Sequence, residues 1–93
     1  MKKILLVGDS STMLLLERLV LDSSGYQILT AGDGPSGTRA ALAHRPDLIL
    51  LEGAEVCRQL QAHEATRETP FLLMTRPVNN NELLSKVKNL LSD

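Results

Sequence analysis

Two carboxylates stand where chemistry is expected if their flanking segments form a parallel sheet. The apolar run Leu48 to Leu51 ends directly at Glu52. The run Ile4 to Val7 is followed within two residues by Asp9. Continuous apolar runs are typical of strands buried on both faces, and ligands of parallel sheets gather beyond the carboxyl ends of the strands. We therefore expect both acids at one functional edge.

The elements that must position these acids alternate between strand-like and helix-like patterns, which predicts an α/β fold. Four strands are predicted: Lys3 to Val7, Tyr26 to Thr30, the run ending at Leu51, and Pro70 to Thr75. Four helices are predicted: from about Asp9, Ser10 or Ser11 to Asp22, from Asp33-Gly34-Pro35 to His44, from about Ala54 to His63, and from about Asn79 onward. Asp33, followed closely by Pro35, is the predicted cap of the second helix. Asn79 and Glu82 have the capping-box spacing of a cap for the last helix.

Composition excludes several classes of function. The 93 residues suit a single domain, residues 1–93, with a net charge of −1 and 2% aromatic residues. The chain has neither an excess of basic residues to contact phosphates nor enough aromatic residues for bases to stack on, which argues against nucleic-acid binding. Asp9 interrupts the N-terminal apolar run too early for a signal peptide, so we expect a cytoplasmic protein without membrane insertion.

In order and spacing these segments resemble the receiver domains of bacterial two-component response regulators. The resemblance covers nearly the whole chain and is carried by Ile4 to Ser10, Tyr26 to Gly34, Pro46 to Glu52, Gly53 to Leu60 and Thr75 to Val78. It implies a flavodoxin-like three-layer sandwich with a parallel sheet of strand order 2-1-3-4. It also implies signalling through protein partners.

The resemblance assigns a role to five positions. In the family, an aspartate after strand three accepts a phosphoryl group, and two acids after strand one help bind Mg²⁺. A Thr or Ser after strand four senses the phosphoryl group, and a Lys before a proline contacts it. The matching positions here hold Glu52, Gly8 and Asp9, Thr75, and Arg76 before Pro77.

Three of these positions depart from the family pattern. Glu52 moves the acceptor carboxylate outward by roughly 1.5 Å, one bond length. Gly8 removes an oxygen ligand from a metal that demands octahedral coordination. Arg76 offers a planar fork suited to holding a carboxylate. We therefore expect at most weak Mg²⁺ binding at Asp9 and Glu52, no other cofactor, and a non-enzymatic, phosphorylation-independent interaction module.

Other interpretations remain open. Glu52 is either a solvated acid at a strand end, a phosphomimetic or partner-contacting group clustered with Asp9 and Arg76, or a residual phosphoacceptor. Thr75 is either an ordinary strand-end hydroxyl or a surviving switch residue. For the whole chain, the alternatives are a phosphoacceptor receiver of a phosphorelay, or a scaffold, oligomerisation unit or engineered minimal receiver.

The fourth predicted strand leads directly through Arg76 and Pro77 into the last helix, so the family's fourth helix and fifth strand are missing. Strand four is apolar throughout, with Phe71, Leu72, Leu73 and Met74 in succession. Such a strand needs cover on both faces, yet it is expected at the sheet edge. We predict a homodimer formed through this strand.

Helix one carries an additional apolar pair. If Met13, Leu15, Leu16, Leu19 and Val20 face the sheet, the helical period puts Leu14 and Leu21 together on the outer side. This pair would be a second contact surface for a partner. The alternative is that the last helix covers it.

Overall fold

The computed structural model describes residues 2–8, 11–52, 58, 60–62, 69–74 and 79–91, with backbone alone at 11–14, 16, 17, 52, 74 and 80. Across these residues, no helix is long and apolar enough to cross a membrane.

The described elements alternate along the chain. They are β1 (Lys3–Val7), α1 (Ser11–Asp22), β2 (Gln27–Ala31), α2 (Gly34–His44), β3 (Leu48–Glu52), β4 (Phe71–Met74) and α3 (Asn80–Leu90). All strand pairs are parallel and the order is β2-β1-β3-β4, which confirms the predicted order 2-1-3-4. Residues 58, 60 and 61 are helical, and most of the helix predicted from Ala54 to His63 lies outside the described residues.

The sheet is buried on both faces because its central strands are apolar at nearly every position. In β1, Ile4 and Leu6 pack on one side, whereas Leu5 and Val7 pack on the other. The first side is covered by Leu21 of α1 and by Leu83, Val87 and Leu91 in and next to α3. The second is covered by Ala41 of α2 and by Leu60. The result is a helix–sheet–helix sandwich of three layers, as expected.

Helices α2 and α3 begin where side chains accept hydrogen bonds from free backbone N–H groups. Asp33 Oδ1 accepts from the Ser36 N–H at 2.8 Å. Asn79 Oδ1 accepts from the Glu82 N–H at 2.7 Å. Each bond satisfies one of the donors that an α-helix leaves unpaired at its start. Both predicted N-caps are confirmed.

Helix α2 lies unusually close to the sheet at Gly37. A Cβ at this position would lie 2.8 and 2.9 Å from the two Cγ atoms of Val7. Val7 is itself fully buried in β1. The absent side chain is therefore what allows α2 to approach β1.

The prediction for the facing of α1 is wrong. Leu21 is fully buried, whereas Leu15 is 58% and Leu19 60% exposed. Leu21 belongs to the core cluster that includes the α3 residue Val87, so the last helix covers it and it is not an outer contact residue. The Leu14 side chain lies outside the described residues.

Candidate functional site

Adjacent parallel strands bring Glu52 to the predicted edge. Val7 of β1 lies opposite Leu51 of β3. The next residue of each strand, Gly8 and Glu52, therefore reaches the same carboxyl edge of the sheet. Glu52 is the last residue of β3 and pairs with Met74 of β4. Three strand ends thus converge where the sequence predicted a functional rim.

Gly8 directly follows β1 and is hydrogen-bonded to the end of β2 at this edge. Its N–H donates to the Ala31 carbonyl oxygen at 3.1 Å, and the residue is buried. The position at which the family carries its first acid is therefore occupied by backbone, and it supplies no carboxylate to the rim.

The remaining predicted site residues, Asp9, Thr75, Arg76 and Pro77, lie outside the described residues. Their attachment points are nevertheless defined. Asp9 follows Gly8 directly, and Thr75 follows Met74, the last residue of β4. The structure thus defines the strand ends from which these residues continue.

A third acid stands at the same edge, and the sequence pattern identified it only as a helix cap. Asp33 lies two residues beyond the end of β2. The backbone N–H of Ser36 stabilises its carboxylate and, with smaller contributions from the Ser36 side chain and Arg39, lowers its pKa. All four strands are parallel, so their carboxyl ends lie at the same edge of the sheet. The pairing of β2 with β1 therefore places Asp33 beside the rim.

The donor set fits a tightly held Mg²⁺ poorly. Among the residues that the structure describes, no three His, Cys, Asp or Glu side chains form a metal-binding group. Gly8 adds no oxygen ligand, and Asp33 is already committed to its helix cap. Magnesium requires near-octahedral oxygen coordination, and the described side chains at this edge supply no free carboxylate toward it.

Strand β4 forms one edge of the described sheet and is incompletely covered. Leu73 is 41% exposed. Phe71 and Leu72 are half-buried, the first on the α2 side and the second on the α3 side.

Only four residues, 75–78, separate β4 from the α3 cap Asn79. That is too short a connection for a further helix and strand, as the sequence predicted.

Curated relatives of this chain include bacterial response regulators, although no family model matches it. The chain is 37% identical over 81 residues to the alkaline phosphatase synthesis transcriptional regulatory protein PhoP of Bacillus subtilis, covering 80% of this chain and 33% of PhoP. It is 30% identical over 82 residues to protein PilH of Pseudomonas aeruginosa, covering 81% of this chain and 68% of PilH. The chain thus spans about a third of PhoP and about two thirds of PilH.

Solved structures show the same fold. The signal receiver domain of a Syntrophus aciditrophicus histidine kinase has a TM-score of 0.89 at 28% identity, covering 99% of this chain and 91% of that one. The receiver domain of the sensor kinase PA1611 from Pseudomonas aeruginosa, which has a magnesium ion in its active-site cleft, has a TM-score of 0.86 at 22% identity, covering 99% and 98%.

The strand order, the convergence of strand ends at Glu52 and the PilH similarity all agree with the resemblance that the sequence displays. The chain therefore belongs to the response regulator receiver family of two-component signalling, and it is a shortened member of that family.

Proposed function

We propose that residues 1–93 form a pseudo-receiver, a non-enzymatic protein-interaction domain in bacterial signalling that works without phosphoryl transfer. The main support is the pair of residues at the carboxyl edge. Gly8 stands where a metal-binding acid is expected, and Glu52 stands where the phosphoacceptor aspartate is expected. Both differences from the family weaken phosphoryl transfer, because Gly8 removes a metal ligand and Glu52 displaces the nucleophile.

The remaining charges at the rim suggest how such a domain signals. The resemblance to receivers assigns Asp9, Glu52 and Arg76 to this rim, and we propose that their charges imitate the phosphorylated state in a permanent form. An arginine fork pairs readily with carboxylates. A partner that recognises the active form of a receiver would then bind without a phosphoryl group. Weak Mg²⁺ binding at Asp9 and Glu52 is compatible with this role, as a structural neighbour binds magnesium in its cleft.

Phosphorylation by a small donor tests the proposal. Incubation with Mg²⁺ and acetyl phosphate should leave the intact mass of the protein unchanged, as measured by mass spectrometry. The matched control is the double variant Gly8→Asp/Glu52→Asp, which restores both acids and should gain one phosphoryl group that hydroxylamine removes. Circular dichroism confirms that the variant is folded.

A stoichiometric, hydroxylamine-labile mass increase on Glu52 of the wild-type protein would contradict the proposal. It would favour a phosphoacceptor receiver instead. A double variant that folds but takes up no label would mean that the rim differs from a receiver site in more than these two residues.

We further propose that the partner surface includes the open edge of β4 and that a second copy of the chain occupies it. An edge strand presents unpaired backbone N–H and C=O groups, which another strand satisfies by pairing. The exposed side chain of Leu73 adds apolar surface at the same place. Four residues alone bury much less than the roughly 1,600 Å² of a standard interface, so we expect a dimer of micromolar affinity.

A further inference from the structure

A cavity of about 250 Å³ opens at the amino edge of the sheet, on the side opposite to Glu52. Its lining comes from the end of α2, from the segment before β3 and from the segment before β4. The lining residues are Ala41, Leu42, Arg45, Pro46 and Thr69. The pairing of β3 with β4 is what brings Thr69 beside the others.

The lining combines an apolar floor with the polar side chains of Arg45 and Thr69. Ala41 and Pro46 are buried, and Leu42 is partly exposed at the rim. Within the part of the chain that the structure describes, neither the guanidinium of Arg45 nor the hydroxyl of Thr69 makes a hydrogen bond or an ion pair. Both therefore remain available to a ligand.

Arg45 occupies its position at an energetic cost. Its φ of 48° lies in the left-handed region, where glycine is the favoured residue at a helix end. Its N–H closes α2 by donating to the Ala41 carbonyl oxygen at 2.9 Å, a bond that glycine would make equally well. An arginine held in a strained backbone beside a cavity suggests a contact with a ligand.

The charge at this edge favours an anion. Lys3 Nζ donates to the His44 carbonyl oxygen at 3.3 Å, so a second cation lies at the same helix end as Arg45. The nearby carboxylate of Asp47 is bonded to the Lys3 N–H at 2.8 Å. The Asp47 carboxylate contributes one negative charge and the C-terminus of α2 about half of one. The two positive charges of Lys3 and Arg45 still exceed these, by about half a charge.

We infer that this cavity binds a small monocarboxylate with a short apolar chain. The carboxylate accepts hydrogen bonds from Arg45 and Thr69, and the chain packs on Ala41, Leu42 and Pro46. The volume lies just below the roughly 300–1,000 Å³ of pockets that hold drug-sized ligands, which suits a ligand of this small size. This site is separate from the carboxyl edge and does not depend on phosphorylation.

Titration of ¹⁵N-labelled protein with hexanoate, followed by NMR, tests the inference. The amide signals of Leu42, Arg45 and Thr69 should shift and saturate with a dissociation constant of roughly millimolar order, as expected for so small a ligand. Hexanol and hexylamine, which keep the chain but lack the carboxylate, should shift these signals much less. Added NaCl should weaken hexanoate binding, because the contact is between exposed charges.

Two matched variants separate the site from a general charge effect. Arg45→Gln should weaken hexanoate binding roughly threefold to fivefold, the size expected for one exposed ion pair. Arg39→Gln removes the same charge from an exposed position of α2 that does not line the cavity, where Arg39 bonds to Ser36 Oγ at 3.2 Å, and should leave the affinity unchanged. Equal affinity in Arg45→Gln and wild type, equal shifts with hexanol, or shifts centred on other residues would overturn the inference.

Discussion

Glu52 differs from the family's aspartate by one methylene group, and the size of that change decides its effect. In-line attack on phosphorus depends on near-contact distances, and a misplacement of about 1 Å costs roughly 100-fold in rate. In the pseudo-receiver that we propose, Gly8 adds to this loss because its side chain carries no oxygen ligand. Restoring one of the two aspartates leaves the other defect in place. The informative control is therefore the double variant Gly8→Asp/Glu52→Asp.

Asp33 gives the protein a pH dependence at its carboxyl edge. The pKa of its carboxyl is lowered from 3.8 in the folded state, chiefly by the hydrogen bond from the Ser36 N–H. A lowered folded pKa means that the stabilisation is complete above about pH 4 and is lost as the pH falls through the folded value. Thermal unfolding measured at about pH 7, 5 and 3 should therefore show a drop in stability at the lowest pH.

The variant Asp33→Asn isolates this carboxyl. Asparagine also caps helices well but does not titrate in this range. Its unfolding temperature should match wild type closely at pH 7 and decline less between pH 5 and pH 3. Parallel pH profiles for the two proteins would show that other carboxyls, and not Asp33, cause the acid destabilisation.

Among the elements, the strands and caps were predictable from sequence, whereas the facing of α1 was not. Strands β1 and β3 are apolar at nearly every position, and buried central strands produce such runs. Helix α1 has seven apolar residues among its twelve, spread around most of its circumference, so periodicity cannot select one buried face. Packing against α3 determines which face of α1 is buried, since it buries Leu21 and leaves Leu15 and Leu19 exposed.

The cavity was also beyond prediction, for a different reason. Arg45 and Thr69 are far apart in sequence, and neither belongs to a recognisable motif. Only the register of β3 with β4, in which Ile49 lies opposite Phe71, brings the segments before these strands together. The carboxyl edge was predictable because acids that end apolar strands are visible in the sequence itself.

The contact between α2 and β1 should be sensitive to a single added methyl group. Gly37→Ala places a Cβ less than 3 Å from both Val7 methyl groups, and one rotation of Val7 cannot relieve both contacts. Overpacking costs about 1–3 kcal/mol, against a gain of about 1 kcal/mol in helix propensity. We expect a net loss of about 1 kcal/mol in the free energy of unfolding, measured with urea.

Two further variants test whether the close approach of residue 37 to Val7 causes this loss of stability. Gly32→Ala adds the same methyl group where nothing lies within 4 Å, and its stability should change by less than about 0.5 kcal/mol. Val7→Ala makes room opposite Gly37, so the double variant should show a favourable coupling of about 1 kcal/mol or more. Additive effects of the two substitutions would mean that the close approach is relieved elsewhere.

For the whole molecule, the open edge of β4 predicts a dimer. Analytical ultracentrifugation should show a monomer–dimer equilibrium at micromolar concentration. Leu73→Lys should shift this equilibrium to monomer, because it puts a charge on the exposed side of the edge strand. Leu72 is the less suitable choice, since it packs against the core on the α3 side.

Leu90→Lys is the matched control. Leu90 is 41% exposed, like Leu73, but lies on α3. This variant should dimerise as wild type does. A wild-type protein that stays monomeric at high micromolar concentration, or equal dissociation caused by both lysines, would exclude pairing through β4.

The position of α3 at the end of the described chain also affects how the protein folds during synthesis. Val87 closes the face of the sheet on which Leu6 and Leu50 lie, yet the ribosome makes all four strands before this helix. Until α3 leaves the exit tunnel, that face lacks part of its cover, and exposed apolar surface of this kind favours aggregation. Chaperone binding to the nascent chain would therefore be concentrated between the synthesis of β4 and the release of α3.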